Sequence, residues 1–238
     1  MPRSAILTIE AASPGGVPAL VETLYALLHG QGEDPTVYRA AFAAGPLTPL
    51  QRAAWWLRHL KPRLTEERGL RTILVPAPPF PLWLFYAVPH FLLGPLLGEY
   101  PRVLVASGSA HVALPLALRG IPYAAWVATL YEDELRAKEA SGDAWASAVL
   151  RSPMWPLLAW QEKLCLRRAG RIMALSYHTA ERIKALVPEA AEHISVVLYP
   201  VDSTRFHPPA GPREAGTPHG RYILFAARIN DPRKNTAI

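Results

Sequence analysis

The chain has 238 residues, half of them hydrophobic, so it can bury a sizeable core and disorder is not expected. Its only cysteine, Cys165, excludes an internal disulfide and a cysteine-cluster metal site, and it fits a reducing cytoplasm. The formal charge is +6, and most of the basic residues are arginines scattered along the chain. Because the sequence shows no dense basic helix face, zinc-finger motif or aromatic RNA-binding motif, we expect no nucleic-acid partner.

The chain opens with a pattern that is typical of a strand, a glycine loop and a helix. Residues 4–9 are rich in β-formers, and residues 17–29 place their apolar side chains on one helical face. The apolar run is short and is broken by Glu10, so no signal peptide is predicted. Between the two elements, Gly15 and Gly16 let the backbone bring peptide N–H groups close to an anion. The same glycines could simply form the turn, and both interpretations remain open.

Residues 36–40 predict a second strand, and residues 47–64 predict a helix that contains Trp55 and Trp56 among several basic residues. This helix could offer an amphipathic face to a membrane or to a ligand. The alternative, which we favour, is a surface helix whose aromatic side chains pack inward.

Residues 72–75 predict a third strand, and the run 82–98, from Leu82 to Gly98, carries no charged residue. With Pro89 and Pro95 inside it, this run is too short and too interrupted for a transmembrane helix. We expect a buried crossover helix. The alternative is a hydrophobic surface that rests on the inner face of the membrane and admits a lipid-linked ligand. Its contact residues would be Trp83, Phe85, Tyr86 and Phe91.

A strand at 102–106, a helix at 110–118 and a fifth strand at 123–127 continue the alternation of strands and helices. Sustained alternation predicts an α/β fold, with a Rossmann-like, mostly parallel sheet covered by helices on both faces. His111 follows a strand end, where such sheets bind ligands, and it could hold an anion or pass a proton. A surface histidine with ordinary partners is the interpretation that we favour.

Four polar side chains follow the fifth strand: Thr129, Tyr131, Glu132 and Asp133. At a strand end of such a sheet they could hydrogen-bond a ligand. Acidic residues that open a helix also stabilise its dipole, and the two explanations are compatible. Further along, residues 152–169 predict a helix, residues 171–175 a strand, residues 177–186 a helix capped by Ser176, and residues 194–198 a strand.

The last stretch predicts a buried strand at 222–227 that ends in a cationic loop. Arg228, Arg233 and Lys234 in that loop suit a phosphate or a diphosphate. A strand and a loop do not make a domain. We therefore expect a first domain at 1–207, a linker rich in proline and glycine at 208–220, and the first strand and loop of an incomplete second domain at 221–238.

Four motifs, in order, resemble those of glycosyltransferase family 4. They are Pro14-Gly-Gly-Val17, the segment from Glu162 to Ser176, the segment Asp202 to Pro208 with Phe206, and Ala227-Arg-Ile-Asn-Asp-Pro-Arg-Lys-Asn235. The third segment resembles the NGVD-x-x-x-F-x-P signature of that family, although Tyr199-Pro200 replaces Asn-Gly. The motifs together span nearly the whole chain.

The resemblance implies the N-terminal domain of a GT-B glycosyltransferase with a truncated second domain. Such enzymes transfer a sugar from a nucleotide-diphosphate sugar to an acceptor, with retention, without a metal and without any cofactor beyond the donor substrate. Arg228 and Lys234 would stabilise the leaving diphosphate as catalytic residues, with Arg233 as a substitute. Gly15 and Gly16 would contribute backbone donors.

The histidine that many members of the family carry after the fifth strand is missing here, so a histidine role cannot be transferred to this position. The resemblance implies that Thr129, Tyr131, Glu132 or Asp133 could serve instead, by hydrogen-bonding sugar hydroxyls. The chain alone is expected to be inactive, because the base pocket and glutamate pair of the family would lie beyond Ile238. A nucleotide-sugar epimerase of the same architecture is the alternative enzyme. A non-catalytic sugar- or phosphate-binding module and a peripheral membrane protein are the alternatives from other classes.

Overall fold

The computed structural model describes residues 1–9, 16–41, 48–76 and 97–200. Its strands are β1 Arg3–Thr8, β2 Asp34–Ala41, β3 Arg63–Glu67, β4 Leu70–Pro76, β5 Arg102–Ser107, β6 Ala124–Val127, β7 Arg171–Ala174 and β8 Ile194–Val196. Its helices are α1 Gly16–Gly30, α2 Pro49–Arg58, α3 Leu114–Arg119, α4 Tyr131–Ala140, α5 Ala144–Arg151, α6 Trp155–Arg168 and α7 Tyr177–Leu186. Short 3₁₀ turns occupy Ala110–Ala113 and Pro188–His193.

The eight strands form one sheet in the order β3-β4-β2-β1-β5-β6-β7-β8. Every neighbouring pair is parallel except β3 and β4. The predicted α/β fold with a mostly parallel sheet is confirmed. Since β1 lies between β2 and β5, the chain winds outward from β1 in both directions, which is the doubly wound arrangement.

Two apolar layers cover the sheet because successive side chains of each strand point to opposite faces. On β1, Ile6 packs with Leu20 and Leu24 of α1, whereas Ala5 and Leu7 belong to the larger cluster on the other face. The larger cluster includes Leu116 of α3, Leu166 of α6 and Ile183 of α7. Helices therefore pack on both faces, as the alternating pattern predicted.

The predicted helix at 47–64 is wrong in its second half. The helix α2 ends at Arg58, and the chain continues into β3, which pairs antiparallel with β4 at the edge of the sheet. A two-residue loop joins these strands, with Arg68 at φ 53° and Gly69 at φ 74°. Two positive φ values in a row match the twist of a tight hairpin, so this turn stabilises the pairing of β3 with β4. The helical periodicity of the sequence had pointed to a helix here instead of a strand.

Smaller differences concern element ends. The helix predicted at 152–169 begins only at Trp155, and the helix predicted at 110–118 opens as a 3₁₀ turn before α3. Residues 82–96, the linker at 208–220 and the second-domain opening at 221–238 lie outside the described residues, so those predictions stay untested. Within the described ranges no helix has both the length and the apolar composition that crossing a bilayer requires.

Ser176 caps α7 as predicted, and its side chain gives a test of local stability. Its Oγ accepts a hydrogen bond from the N–H of Thr179 at 3.0 Å. We expect Ser176→Ala to lower the free energy of unfolding by about 1 kcal/mol, because one N–H at the helix start loses its acceptor. Urea unfolding measures this, with Ser195→Ala on the exposed part of β8 as the control. Equal losses in both variants would contradict the capping role.

Candidate functional site

The candidate site lies at the carboxyl edge of the sheet, beside β1. The strands β1 and β5 are hydrogen-bonded neighbours, and their following helices depart to opposite faces. At such a switch point the two loops separate and leave a crevice where α/β proteins bind ligands. Thr8 ends β1 and Ser107 ends β5, and Gly16 begins the helix that follows β1.

The loops that follow β5, β6 and β7 are joined by backbone contacts. The carbonyl oxygen of Gly108 accepts hydrogen bonds from the N–H groups of Ala128 and Thr129, at 3.2 and 3.0 Å. The hydroxyl of Thr179, in the first turn of α7, donates to the carbonyl oxygen of Ala128 at 3.0 Å. The end of β6, with its candidate sugar-binding residues, is thus held from both sides.

Gly16 is the predicted diphosphate-binding residue that the structure describes, and it is the first residue of α1. The first turn of α1 carries no acidic side chain, so no carboxylate within that turn offsets the positive end of the helix dipole. The hydroxyl of Tyr199 donates to the carbonyl oxygen of Gly16. Gly15, Arg228, Arg233 and Lys234 lie outside the described residues, and their roles stay predictions.

Three of the predicted sugar-contact residues are half-buried at the end of β6: Thr129, Glu132 and Asp133. The carboxylate of Asp133 accepts two hydrogen bonds from Arg182, at 3.1 and 2.7 Å. The carboxylate of Glu132 pairs with Arg136 one turn along α4. Both carboxylates are therefore charge-balanced by arginines and remain partly accessible, which suits hydrogen bonding to hydroxyl groups.

The side chain of His111 is completely buried, so the prediction of a surface histidine is wrong. Its Nε2 lies 2.9 Å from the carbonyl oxygen of Leu158 in α6. A carbonyl only accepts hydrogen bonds, so this nitrogen carries the proton. The other nitrogen, Nδ1, lies 3.4 Å from the hydroxyl oxygen of Ser109 and 4.0 Å from Oε1 of Glu162. In this conformation the ring is a buried part of the scaffold under the site.

Glu162 supplies the cap that α4 lacks in its own sequence. Leu130 stands at the cap position and has no side-chain acceptor for the first N–H groups of the helix. The carboxyl of Glu162, projecting from α6, accepts a hydrogen bond from the N–H of Tyr131 at 2.9 Å. The phenol ring of Tyr131 is buried too and packs edge-on against His111, at 4.9 Å between ring centroids.

Burial changes the protonation of this pair. It lowers the pKa of His111 to about 4, against a smaller opposing effect from the carbonyl of Leu158. It raises the pKa of Glu162 to about 8, and the N–H of Tyr131 opposes this shift. Both groups are therefore neutral at pH 7, and their 4.0 Å approach is not an ion pair.

Two cavities border the carboxyl-edge elements. One of about 310 Å³ separates α4, α6 and α7, and its lining includes Glu132, Trp155, Glu162 and Arg182. Another of about 360 Å³ lies beside α1, and its lining includes Thr8, Pro18, Arg39 and Glu67. Each has the volume to admit a small polar molecule.

Two contacts escaped the sequence analysis. The contact of Glu162 with Tyr131 joins residues 31 positions apart, and the contact of Tyr199 with Gly16 joins residues 183 apart. For the contact of Glu162 with Tyr131, the available signal was a helix start after β6 without a cap residue. For the contact of Tyr199 with Gly16, the signal was that Tyr199-Pro200 replaces the Asn-Gly of the signature that this segment resembles.

Comparison with known proteins gives one family match. The sequence model described as Glycosyltransferase Family 4 matches residues 14–205. No curated protein sequence matches the chain.

Several solved structures align with the chain at low identity. The HepE protein of Anabaena, in complex with UDP-glucose, is 13% identical with a TM-score of 0.47, and the alignment covers 85% of this chain and 45% of that one. An α-glucosyltransferase in complex with UDP and a 13-mer DNA containing a HMU base is 13% identical with a TM-score of 0.47, over 85% of this chain and 44% of that one. The chain thus spans less than half the length of these proteins.

The buried carboxyl predicts a specific dependence of stability on pH. Between pH 4.5 and about 8 the folded protein keeps a proton on Glu162 that the unfolded chain releases. The free energy of unfolding therefore falls as the pH rises through this range. His111 makes the free energy of unfolding rise with pH, but only below pH 6.5. Between pH 6.5 and 8 we expect Glu162 to reduce the free energy of unfolding by up to about 1.4 kcal/mol per pH unit.

Glu162→Gln removes the titrating group and keeps an oxygen that can accept from Tyr131 N–H. Urea unfolding at several pH values should therefore show a smaller decrease above pH 6.5 in this variant than in the unmodified protein. The exposed Glu66→Gln variant is the matched control and should keep the original slope. The same slope in all three proteins would contradict a protonated carboxyl at position 162.

Proposed function

Because the chain belongs to glycosyltransferase family 4, we propose that it forms the acceptor-side domain of an enzyme that transfers a sugar from a nucleotide-diphosphate sugar to a sugar or lipid-linked acceptor. We also propose retention at the anomeric carbon and no requirement for a metal. The observation that carries this proposal is the family match, which covers most of the described sheet and helices. A reducing cytoplasm is proposed as the location, and the buried free thiol of Cys165 supports it.

The proposed chemistry depends on stabilising a departing diphosphate. As the bond between the sugar and the diphosphate breaks, negative charge accumulates on the phosphate oxygens, and fixed donors there lower the barrier. The N-terminus of α1 at Gly16 lies at the switch point and offers peptide N–H groups, with no acidic residue in its first turn. Arg228 and Lys234 are proposed to supply the opposing cations.

The proposed acceptor contacts lie at the end of β6. A carboxylate that already binds an arginine keeps further lone pairs, so Glu132 and Asp133 can accept hydrogen bonds from sugar hydroxyls. Thr129 adds a hydroxyl beside them. Tyr131 is buried, so its contribution is proposed to be the anchoring of this helix start rather than a contact with the ligand.

A first test uses Gly16, where added volume is tolerated by the fold. A Cβ built at Gly16 would approach the ring of Tyr199 no closer than 3.8 Å, which is an ordinary contact, and its φ is not positive. Because the nucleotide-base pocket is expected beyond Ile238, the test uses a protein that also contains a complete second domain. In that protein we expect Gly16→Ala to keep the thermal stability and to weaken binding of UDP about tenfold, because the methyl group keeps the phosphate away from the backbone. Isothermal titration calorimetry gives the affinity.

The matched control is Gly30→Ala at the other end of α1, where a Cβ meets no atom within 4 Å. It should bind UDP as the unmodified chain does. If Gly16→Ala binds UDP with unchanged affinity, the phosphate is not held against this helix start.

A second test concerns the cationic residues. In the same protein with a complete second domain, we expect Arg228→Ala and Lys234→Ala each to weaken UDP binding by about tenfold to a hundredfold, because a charge-assisted hydrogen bond to a phosphate oxygen is lost. The control is Arg119→Ala at the exposed end of α3. Circular dichroism checks that the fold is retained. If Arg119→Ala weakens UDP binding to the same extent, the loss reflects the net charge of the protein, and Arg228 and Lys234 have no specific role.

A further inference from the structure

The helix α2 carries an apolar stripe that faces away from the protein. Leu50 is 84% exposed and Leu57 is 62% exposed, and Ala54 between them is exposed too. Residues that are four and three positions apart lie above one another on a helix, so these three side chains form one line. Large aliphatic side chains in this arrangement are unfavourable in water, which indicates that something covers them.

The orientation of α2 is fixed by its other side. Trp55 and Trp56 are half-buried, and the indole N–H of Trp56 donates to the carbonyl oxygen of Pro76 at the end of β4. Thr48 and Gln51 form a reciprocal capping box at the start of the helix. The favoured prediction that the aromatic residues pack inward is thus supported, and the leucines are the residues left outside.

The charged side chains of α2 and of the segment that follows it are basic, and the first acidic one after them is the exposed Glu66 of β3. No acidic residue occurs in the sequence from 35 to 65. The exposed basic residues near the stripe are Arg52, Arg58, Lys61 and Arg63. The apolar surface continues past the helix, since Leu60 and Leu64 are 38% and 64% exposed.

We propose that this surface, defined as residues 50–64, docks on a bilayer that contains anionic phospholipid. Leucines insert at the boundary of headgroups and acyl chains, while the flanking guanidinium and ammonium groups pair with lipid phosphates. A nucleic acid would use the basic groups but leave the leucines in water. A partner protein of mixed charge would meet no acidic residue here to pair with its own cations. A bilayer with anionic phospholipid accommodates both the exposed leucines and the basic side chains.

The position of the surface connects it with the candidate site. Pro76, which accepts from Trp56, ends β4 at the carboxyl edge of the sheet, on the same edge as Thr8 and Ser107. A bilayer held against α2 lies beside the edge where ligands bind. The membrane docking does not depend on the proposed transferase function, but the nature of the acceptor does. If that function holds, the arrangement favours an acceptor carried by a lipid.

The first experiment measures sedimentation of the chain with vesicles of pure phosphatidylcholine and with vesicles that also contain phosphatidylglycerol. We expect binding to the anionic vesicles only, and release at high salt, because screening weakens the attraction to the lipid phosphates. Leu50→Gln with Leu57→Gln should lower the partition coefficient about tenfold or more. Arg52→Gln with Arg58→Gln should lower it about tenfold.

Matched controls come from exposed residues elsewhere. Leu27→Gln with Leu118→Gln replaces two exposed leucines of α1 and α3, and Arg119→Gln replaces an exposed arginine. These variants should bind vesicles as the unmodified chain does. Thermal unfolding verifies that every variant folds. None of these measurements uses enzymatic activity, so their outcome is separate from that of the proposed function.

The second experiment places a reporter on the surface. Cys165 is buried, so a thiol-reactive, polarity-sensitive dye attaches selectively to an Ala54→Cys variant, with Ala140→Cys on α4 as the control. We expect a blue shift on adding anionic vesicles at position 54 and none at position 140. Absence of vesicle binding overturns the proposal. So does binding that survives the paired leucine substitutions, which would assign it to another segment such as 82–96, and so does a vesicle-independent dimer that buries position 54.

Discussion

One backbone oxygen fixes the geometry on which the candidate site depends. The carbonyl of Gly108 accepts hydrogen bonds from two successive N–H groups, those of Ala128 and Thr129, and so joins the loop after β5 to the loop after β6. Parallel strands bring these loops to one edge but leave their mutual position open. Since the bonds use main-chain atoms, the sequence of either loop can vary around them while the distance between the two loops is preserved.

Next to this junction, the carboxyl group of Glu162 accepts the hydrogen bond that an N-cap side chain accepts in other helices. The start of α4 has Leu130 at its cap, so the N–H of Tyr131 is satisfied from α6 by Glu162. The group is buried and stays protonated at neutral pH, which avoids the cost of a buried charge. His111 beside it stays neutral as well, with its proton committed to Leu158. The support is therefore polar but uncharged.

The features that could be predicted from sequence are those that neighbouring residues determine. Alternating strands and helices predicted the sheet, and Ser176 predicted its own helix cap. The hairpin of β3 and β4 was missed because its turn, Arg68-Gly69, lacks the Asn-Gly or Asp-Gly signal and its strand contains helix-forming glutamates. The burial of His111 depends on Leu158, 47 positions later, and no local pattern reports such a pairing.

Periodicity alone also leaves the orientation of α2 undecided. Tryptophan and leucine are both apolar, so either the two tryptophans or the two leucines of this helix could have turned towards the sheet. The indole N–H decides between them, because a buried donor needs an acceptor and the carbonyl of Pro76 provides it, whereas leucine has no such requirement. The leucines then remain on the outside among basic residues. The positive end of α1 at Gly16 and these basic residues border the same edge of the sheet. The two proposals therefore place anions from two sources at that edge, a diphosphate in the crevice and phosphates of a lipid surface beside it.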